Sequence, residues 1–238
     1  GASKGIGAAT AKMLAMAGAK VTAVSRNPQG LLSTLEGSDH NAVSLNLEDQ
    51  KSILEFISTI DECHILINNA AGPPGGPLIE NEIEDFIDPF KRHLHASHSL
   101  VKGLIPLMEK SGYGRIVNII STSVKEPIPN IGLSNTLRGA MASWAKSLSR
   151  ELPACVTINN VLPGFTDTDR LTSLAKSIQE KTGKDIEQIH SGWMDQVPIN
   201  RLIDPLETGA AIAYLCMPIS GGIRGVSLAV DGGRLRSI

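Results

Sequence analysis

The fold of this chain is decided by its first residues, Gly1-Ala-Ser-Lys-Gly5-Ile-Gly7, in which three glycines stand at GxxxGxG spacing. A helical pattern rich in Ala, Met and Leu follows at 6–17, and a buried-strand pattern follows at 20–25. A glycine turn that opens a helix lets the backbone approach a pyrophosphate, whose charge is met by the helix N-terminus. The stretch therefore predicts a nucleotide-binding turn rather than a flexible terminus. We expect the strand that should feed this turn to be missing from the chain.

Strand and helix patterns alternate along the rest of the chain. Further apolar strand patterns lie at 42–46, 64–68, 115–120, 155–161 and 226–230, and helical patterns at 47–60, 82–110, 131–151 and 205–217. Pro89 predicts a break or kink in the long helix. Strands that are apolar throughout indicate a parallel sheet covered by helices on both faces. With no linker or repeat in sight, residues 1–238 are predicted to form a single α/β domain.

Composition and charge exclude several classes of partner. Of the 238 residues, 42% are hydrophobic, 19% charged and only 3% aromatic, and the net charge is −2. The low aromatic content and the absence of a net positive charge argue against binding to nucleic acid or to an anionic membrane surface. No apolar run reaches the roughly 18 residues of a membrane span. Three scattered cysteines without a CxxC motif favour a reducing, cytoplasmic location. His95 and His98 are not joined by a carboxylate or cysteine at metal-ligand spacing, so no metal site is expected.

The residues after the strand pattern at 20–25 predict which dinucleotide binds. An acidic residue at that point would hold the ribose hydroxyls of NAD. This chain has Ser25 and Arg26 instead, and Lys4 lies inside the glycine turn. Both cations can pair with a 2′-phosphate, so NADP is favoured over NAD. The alternative is that both are ordinary solvated surface charges.

Five segments together resemble the short-chain dehydrogenase/reductase family. They are the glycine turn, NNAAG at 68–72, RIVNIIS at 115–121, NVLPGFTDT at 160–168, and the C-terminal signature formed by VPINR at 197–201, PLE at 205–207 and VDGG at 230–233. They occur in the family's order and at its spacing. The resemblance implies a doubly wound parallel Rossmann sheet, and a homodimer or homotetramer built on the fourth and fifth helices.

The resemblance also implies which residues contact the cofactor. These are Gly1, Ser3, Lys4, Gly5, Ile6, Gly7, Arg26, Asn46, Leu47, Asn69, Ala70, Pro163, Gly164, Thr166 and Thr168. For assembly, we expect the apolar residues of the fourth and fifth helices to form the subunit interface, for example Leu100, Leu104, Met108, Met141, Trp144 and Leu148.

The chain departs from the family at the proton relay, which the family builds from Asn, Ser, Tyr and Lys. The serine is kept as Ser121. Aligned on it, the tyrosine falls on Ser134 and the lysine on Arg138, while the asparagine falls on His93. A serine hydroxyl is far less acidic than a tyrosine phenol, whose pKa is about 10. Arg138 can hold ribose hydroxyls or stabilise an oxyanion, but a permanently charged guanidinium cannot relay a proton.

The sequence allows two sources for the proton that the family's tyrosine would supply. One is a water held by Ser121 and Ser134. The other is the His93 imidazole, because the ordinary pKa of histidine suits general acid catalysis. Tyr113 precedes the strand that leads to Ser121, so we expect it to lie too far away.

The favoured hypothesis is an NADP-dependent oxidoreductase that acts on a carbonyl or alcohol of a small-molecule substrate. The alternatives are an NADP-binding pseudoenzyme with a sensing or scaffolding role, or a lyase, isomerase or enoyl-type reductase on the same fold. Residues 166–202 are predicted to form a substrate lid with one helical patch around 170–181. Apolar residues in the lid suggest an apolar or acyl-like substrate: Leu171, Leu174, Ile178, Ile186, Ile189, Trp193 and Met194.

Overall fold

The computed structural model describes residues 1–237 and, at Gln29, the backbone alone. The strands are β1 (Thr22–Ser25), β2 (Asn41–Ser44), β3 (Ile65–Asn68), β4 (Gly114–Ile119), β5 (Val156–Pro163) and β6 (Ser227–Val230). The helices are α1 (Gly5–Met16), α2 (Gln29–Leu32), α3 (Gln50–Ser58), α4 (Ile83–Phe90), α5 (Ala96–Ser111), α6 (Gly132–Glu151), α7 (Asp169–Thr182), α8 (Ile186–Met194) and α9 (Pro205–Leu215).

All of the strands are parallel, and they form two portions of sheet. β1 pairs with β2, while β3, β4, β5 and β6 pair in that order. Every strand pattern predicted from the sequence is present, with boundaries that differ by two residues at most. Between β1 and β3 lies a cavity of about 830 Å³, lined on both sides by residues of these two strands. At its end the Gly1 ammonium donates to the Val24 carbonyl oxygen at 2.7 Å.

Helices cover both faces of the larger portion of sheet, as the apolar strands predicted. On one face, Leu14 of α1 and Ile212 of α9 pack against Val117 of β4. On the other face, Met108 of α5 packs against the neighbouring Ile116. The successive residues Ile116 and Val117 of β4 therefore face two different cores, which is why the strand carries apolar residues on both faces.

Local signals in the sequence account for several helix boundaries. Helix α1 stops before Gly18, whose φ of +85° suits glycine at the end of a helix. Helix α3 is capped at its N-terminus by Asp49, whose carboxylate accepts from the backbone N–H groups of Lys51 and Ser52. No helix within residues 1–237 is both long and apolar enough to span a membrane.

The predicted interruption at Pro89 takes the form of a π-helical turn. Pro89 lies in the last turn of α4, and the π-helical turn Lys91–His95 follows and leads into α5. Proline supplies no N–H and crowds the preceding turn, so the regular hydrogen-bond ladder is broken at this point. The wider π turn re-aims the residues it contains, and His93 is one of them.

The apolar residues of α5 and α6 do not present a free face, contrary to the expectation for assembly. Leu100, Leu104, Met108 and Met141 are buried in the chain's own cores. Trp144 and Leu148 are partly buried and pack against the same cores. Their apolar character is explained by packing within the chain, because both helices lie flat on the sheet.

The lid region also differs from its prediction. It contains two helices, α7 and α8, rather than one helical patch. These helices share a small core in which Ala175, Ile189 and Trp193 are buried, with Phe165 stacked on Trp193 at 5.3 Å between ring centroids. The remaining apolar residues of the lid, Leu171, Leu174, Ile178, Ile186 and Met194, pack around this core. Their packing on one another accounts for the apolar pattern of this segment within the chain itself.

Candidate active site

The predicted site residues follow the carboxyl ends of the parallel strands. Arg26 follows β1, Asn69 follows β3, Ser121 comes two residues after β4, and Gly164 follows β5. In an open α/β sheet, ligands bind outside these ends of the strands. Tyr113 lies at the opposite end of β4, where its hydroxyl donates to the Cys216 carbonyl oxygen. The expectation that Tyr113 is remote from the site is therefore confirmed.

The glycine turn is built for close backbone contacts. Gly5 has a φ of +54°, a conformation that favours glycine. A Cβ atom at Gly7 would lie 2.0 Å from the Gly1 carbonyl oxygen. That same oxygen accepts a hydrogen bond from Asn69 Nδ2 at 3.0 Å, which joins the turn to the loop after β3.

The start of α1 has the character of an anion site. Its first turn carries no acidic residue, and the Lys4 side chain does not cap it. The first N–H groups of a helix have no partner within the helix and carry partial positive charge. The turn therefore fits the pyrophosphate of a dinucleotide, and the missing side chains of Gly5 and Gly7 leave the backbone accessible.

The loop after β5 lies directly against this turn. A Cβ atom at Gly5 would be 3.1 Å from Thr168 Cγ2. Thr168 also caps α7, because its Oγ1 accepts from the Leu171 backbone N–H at 3.4 Å. At Gly164 the backbone passes so close to Asp231 that a Cβ would lie 2.7 Å from its Cα. The two predicted cofactor segments, 1–7 and 163–168, are thus brought together.

The two cations expected at the 2′-phosphate have different surroundings. Arg26 is exposed, and its carbonyl oxygen accepts from Ser44 Oγ at 2.9 Å, which ties the residue to β2. Lys4 forms an exposed ion pair with Asp169 at the start of α7, at 3.5 Å. Arg26 is therefore the better candidate, because Lys4 already has a carboxylate neighbour.

Ser121 is oriented by the backbone that follows it. It begins the short 3₁₀ helix Thr122–Val124, and its Oγ accepts from the Ser123 backbone N–H at 3.1 Å. With the oxygen occupied as an acceptor, the hydroxyl hydrogen is left to donate elsewhere. This geometry suits a hydrogen bond to a carbonyl oxygen.

The side chains of Ser134 and Arg138 both lie beside Gly72. Ser134 Oγ and Arg138 Nη2 lie 3.9 Å and 3.6 Å from the position of a Cβ atom at Gly72. Arg138 is buried on α6, and its Nη1 donates to the Ile119 carbonyl oxygen at 2.9 Å. Burial, and secondly the charge of Arg170, lower the pKa of Arg138 to about 10. The guanidinium still carries its charge at neutral pH.

His93 lies next to this cluster, but its electrostatics differ from the expectation. The side chain is buried, and Nε2 donates to the Ala71 carbonyl oxygen at 3.0 Å. Burial, followed by the charge of Arg138, lowers the pKa of His93 to about 3. The imidazole is therefore neutral at physiological pH, and its N–H is already engaged. The expectation that the pKa of His93 suits general acid catalysis is therefore not supported.

Two arginines of the site were missed by the sequence analysis. Arg92 Nε donates to Glu48 Oε1 at 2.7 Å, and Nη1 donates to the Ala71 carbonyl oxygen at 3.1 Å. It thereby links the loop at 46–48 to the loop at 69–72. Arg170 on α7 donates from Nη2 to the Pro73 carbonyl oxygen at 2.7 Å. The partners of both arginines are distant in the sequence, so no local pattern could have revealed these contacts.

A row of asparagines beneath the site was also missed. Asn68 donates to Asn118 at 2.8 Å, Asn118 to Asn160 at 2.9 Å, and Asn160 to Ser227 Oγ at 3.2 Å. These residues occupy the same register position on β3, β4, β5 and β6. The side chains pair with one another in the core and so satisfy their amide groups. The presence of asparagine in each of these three largely apolar strands was the available signal in the sequence.

Comparison with known proteins gives similarities along the whole chain. Residues 1–234 match the family described as enoyl-(acyl carrier protein) reductase. The 3-oxoacyl-(acyl-carrier-protein) reductase of Vibrio harveyi is 32% identical over 242 residues, which cover 98% of this chain and 94% of that protein. The NADPH-dependent reductase BacG of Bacillus subtilis is 30% identical over 254 residues, covering 100% and 96%.

A solved structure extends the similarity to three dimensions. YwfH, an NADPH-dependent reductase involved in bacilysin biosynthesis, matches with a TM-score of 0.91 at 27% identity. The match covers 100% of this chain and 97% of that one. The predicted doubly wound α/β architecture is thereby confirmed.

Proposed function

The chain belongs to the short-chain dehydrogenase/reductase family, and from this premise we propose that it reduces a carbonyl group by means of Ser121, Ser134 and Arg138 in place of the usual relay. It is an NADPH-dependent short-chain reductase, as its relatives are. The observation that carries the proposal is that a hydroxyl and a buried cation both lie beside Gly72. Both groups lie at the ends of the strands where ligands bind in such folds.

In this proposal the cofactor site consists of segments that lie near the carboxyl ends of the strands. Gly1, Ser3, Gly5, Ile6 and Gly7 would hold the pyrophosphate at the start of α1. Arg26, assisted by Lys4, would meet the 2′-phosphate. The other contacts would come from Asn46, Leu47, Asn69, Ala70, Pro163, Gly164, Thr166 and Thr168.

The chain's own residues would stabilise the charge that develops during reduction. NADPH, when bound, would supply the hydride for the carbonyl carbon. As the C=O π pair moves to oxygen, Ser121 donates its free hydroxyl hydrogen toward that oxygen. Arg138 adds a fixed positive charge nearby, in a buried setting where electrostatic stabilisation is strong. Preorganised donors of this kind need no rearrangement when the charge appears.

The proton would come from water rather than from a side chain. Arg138 and His93 do not titrate near neutral pH, because their pKa values are lowered to about 10 and about 3. A serine hydroxyl is too weak an acid to replace a phenol. In this proposal Ser121 and Ser134 hold a water that protonates the alkoxide, and the hydroxide left behind takes a proton from the solvent. His93 acts as a positioning residue through its bond to Ala71.

The proposal is tested by following NADPH absorbance with a panel of ketones, aldehydes and oxo acids. Reduction should appear for at least one substrate, with one alcohol formed for each NADPH consumed. NADPH binding without turnover on the whole panel would contradict the proposal.

A cofactor-binding protein without redox activity is the second candidate. One observation favours it: neither Arg138 beside Gly72 nor His93, which bonds to Ala71, can deliver a proton near neutral pH. On that hypothesis NADPH binds, and its occupancy is read by a partner. A lyase, isomerase or enoyl-type reductase would instead turn over substrates outside the carbonyl panel.

Replacing Arg26 with alanine should weaken NADPH binding by about 10–100-fold and leave NADH binding nearly unchanged. A charge-assisted hydrogen bond contributes roughly 1.5–3 kcal/mol. NADH lacks the 2′-phosphate, so it cannot lose this contact. Isothermal titration of both cofactors measures the ratio.

Lys20→Ala is the matched control, since Lys20 is an exposed cation before the other end of β1. It removes one positive charge without touching the carboxyl end of the strand. An unchanged NADPH-to-NADH ratio in Arg26→Ala would refute the assignment of Arg26.

Acid should destabilise the protein partly through His93. Its pKa is about 3 in the folded chain and about 6.5 when exposed. Between these values the unfolded state binds a proton that the folded state does not, so stability is complete above about pH 6.5 and declines below it. His93→Gln keeps an N–H donor but does not titrate. Urea unfolding from about pH 7 to about pH 4.5 should show a shallower decline for the variant, and parallel curves would contradict this account.

Assembly as a homodimer or homotetramer is also proposed, although not through the buried residues first expected. An exposed apolar stripe runs along Ile79, Ile83 and Ile87, whose side chains are solvent-accessible in the isolated chain. Contiguous exposed apolar residues of this kind are typical of interfaces. Light scattering at micromolar concentration should report more than one subunit, and Ile83→Lys should shift the mass toward a monomer. A monomeric wild type would contradict the proposal.

A cytoplasmic location for this protein also stays a prediction.

A further inference from the structure

Two arginines approach the same loop from different helices. Arg138 on α6 places Nη2 3.6 Å from the Cβ position of Gly72. Arg170 in the first turn of α7 donates from Nη2 to the carbonyl oxygen of Pro73, the next residue, at 2.7 Å. Two positive charges therefore lie beside consecutive residues of the loop that follows β3.

Neither guanidinium has an acidic partner among residues 1–237. The ion pairs in this part of the chain belong to other cations, including Lys4 and Arg92. The hydrogen bonds of Arg138 and Arg170 go to backbone carbonyl oxygens instead. A buried cation without a counter-ion is costly, and a second cation nearby adds repulsion. Binding of an anion at this point would relieve both penalties.

We propose that Arg138 and Arg170 bind a carboxylate of the substrate, which makes the substrate an oxo acid whose carboxylate lies close to the reacting carbonyl. The inference rests on the proposed function and adds the substrate class. Guanidinium groups match the two oxygens of a carboxylate in plane and spacing. The carboxylate must be close to the carbonyl because Ser134 Oγ lies 3.9 Å from the same point beside Gly72.

The lid offers charge rather than apolar surface to this site. Leu174 reaches the loop, with Cδ1 3.9 Å from the Cβ position of Gly75. Most other apolar side chains of α7 and α8 are turned into the lid's own core. Arg170, by contrast, extends from α7 to the loop. Selectivity for an anion is therefore expected from the lid, and selectivity for a long apolar chain is not.

The test compares oxo acids with neutral molecules of the same shape. The kcat/KM values for 2-oxo and 3-oxo acids are measured beside those of their methyl esters and amides, with NADPH saturating. The wild type should prefer the acid over its ester by about 10-fold or more, the range of a charge-assisted bond. Arg170→Gln should lose about 10-fold or more on the acid and leave the ester unchanged.

Lys176→Gln is the matched control, because Lys176 is an exposed cation on the same helix. It should leave both kcat/KM values unchanged. Arg170 is preferred to the buried Arg138 for the substitution, since a surface change of this kind leaves the core intact. If Arg170→Gln slows acid and ester equally, the residue only positions the lid, and the inference is wrong.

The outcomes separate this inference from the proposed function. Reduction of neutral ketones with no preference for acids overturns the carboxylate site and leaves the reductase proposal standing. Absence of turnover on every carbonyl overturns the reductase proposal. In that case butanoate and butanamide serve as probes on the NADPH-bound protein. Butanoate alone should raise the melting temperature, and the rise should vanish in Arg170→Gln; equal effects of the two probes would refute the carboxylate site.

Discussion

Ser121→Ala is expected to lower kcat by about 10²–10³ while NADPH affinity stays within twofold. Removing one preorganised donor to a developing oxyanion typically costs this much. The Ser121 oxygen accepts from the Ser123 N–H, which holds the oxygen in place and leaves the hydroxyl hydrogen to donate. The loss should appear in kcat and in kcat/KM alike, because the contact strengthens only as charge develops. Steady-state kinetics and cofactor titration measure the two quantities.

A matched serine provides the control for this experiment. Ser147 is exposed on α6, and its hydroxyl donates to the Ser143 carbonyl oxygen, away from the strand ends. Ser147→Ala should leave kcat unchanged. If Ser121→Ala also retains full turnover, the serine is not the donor, and the charge on the substrate oxygen must be met by Arg138 alone.

Restoring the family's usual pair, Ser134→Tyr with Arg138→Lys, should raise turnover of simple ketones by about 10²-fold. General acid catalysis contributes roughly 10²–10⁴, and a phenol beside an ammonium can supply a proton that serine and arginine cannot. The side chain of Ser134 faces Gly72, where no Cβ stands in the way of a larger group. The Arg138→Lys change also replaces the guanidinium beside Gly72 with an ammonium group.

The comparison with the wild type decides between the two candidate functions. Arg138→Lys alone is the control, since it changes the buried cation without adding a proton donor; circular dichroism checks that both variants fold. A silent wild type together with an active double variant would identify a cofactor-binding pseudoenzyme. A folded double variant that binds NADPH but gains nothing would show that a missing phenol does not limit the reaction.

Much of the fold could be predicted because its causes are local. Continuous apolar runs identified the six strands, since both faces of a parallel sheet are buried. The glycine spacing at 1–7 predicted the turn before α1, and positive φ at Gly5 bears out the need for glycine there. Pro89 predicted an interruption, because it lacks an N–H whatever surrounds it. The motifs and their order likewise predicted that segments 1–7 and 163–168 lie near each other, as they do in the structure.

The tertiary structure alone decided what the site can do chemically. The sequence places a histidine at 93, but only burial beside Arg138 lowers its pKa to about 3 and removes it as an acid. Leu171 and its apolar neighbours look like substrate contacts in the sequence, yet α7 and α8 use them to pack on each other. Arg138 and Arg170 are 32 residues apart in the sequence and meet only because α6 and α7 reach the same loop. Burial, charge and neighbourhood depend on residues distant in the chain, so no local pattern can determine them.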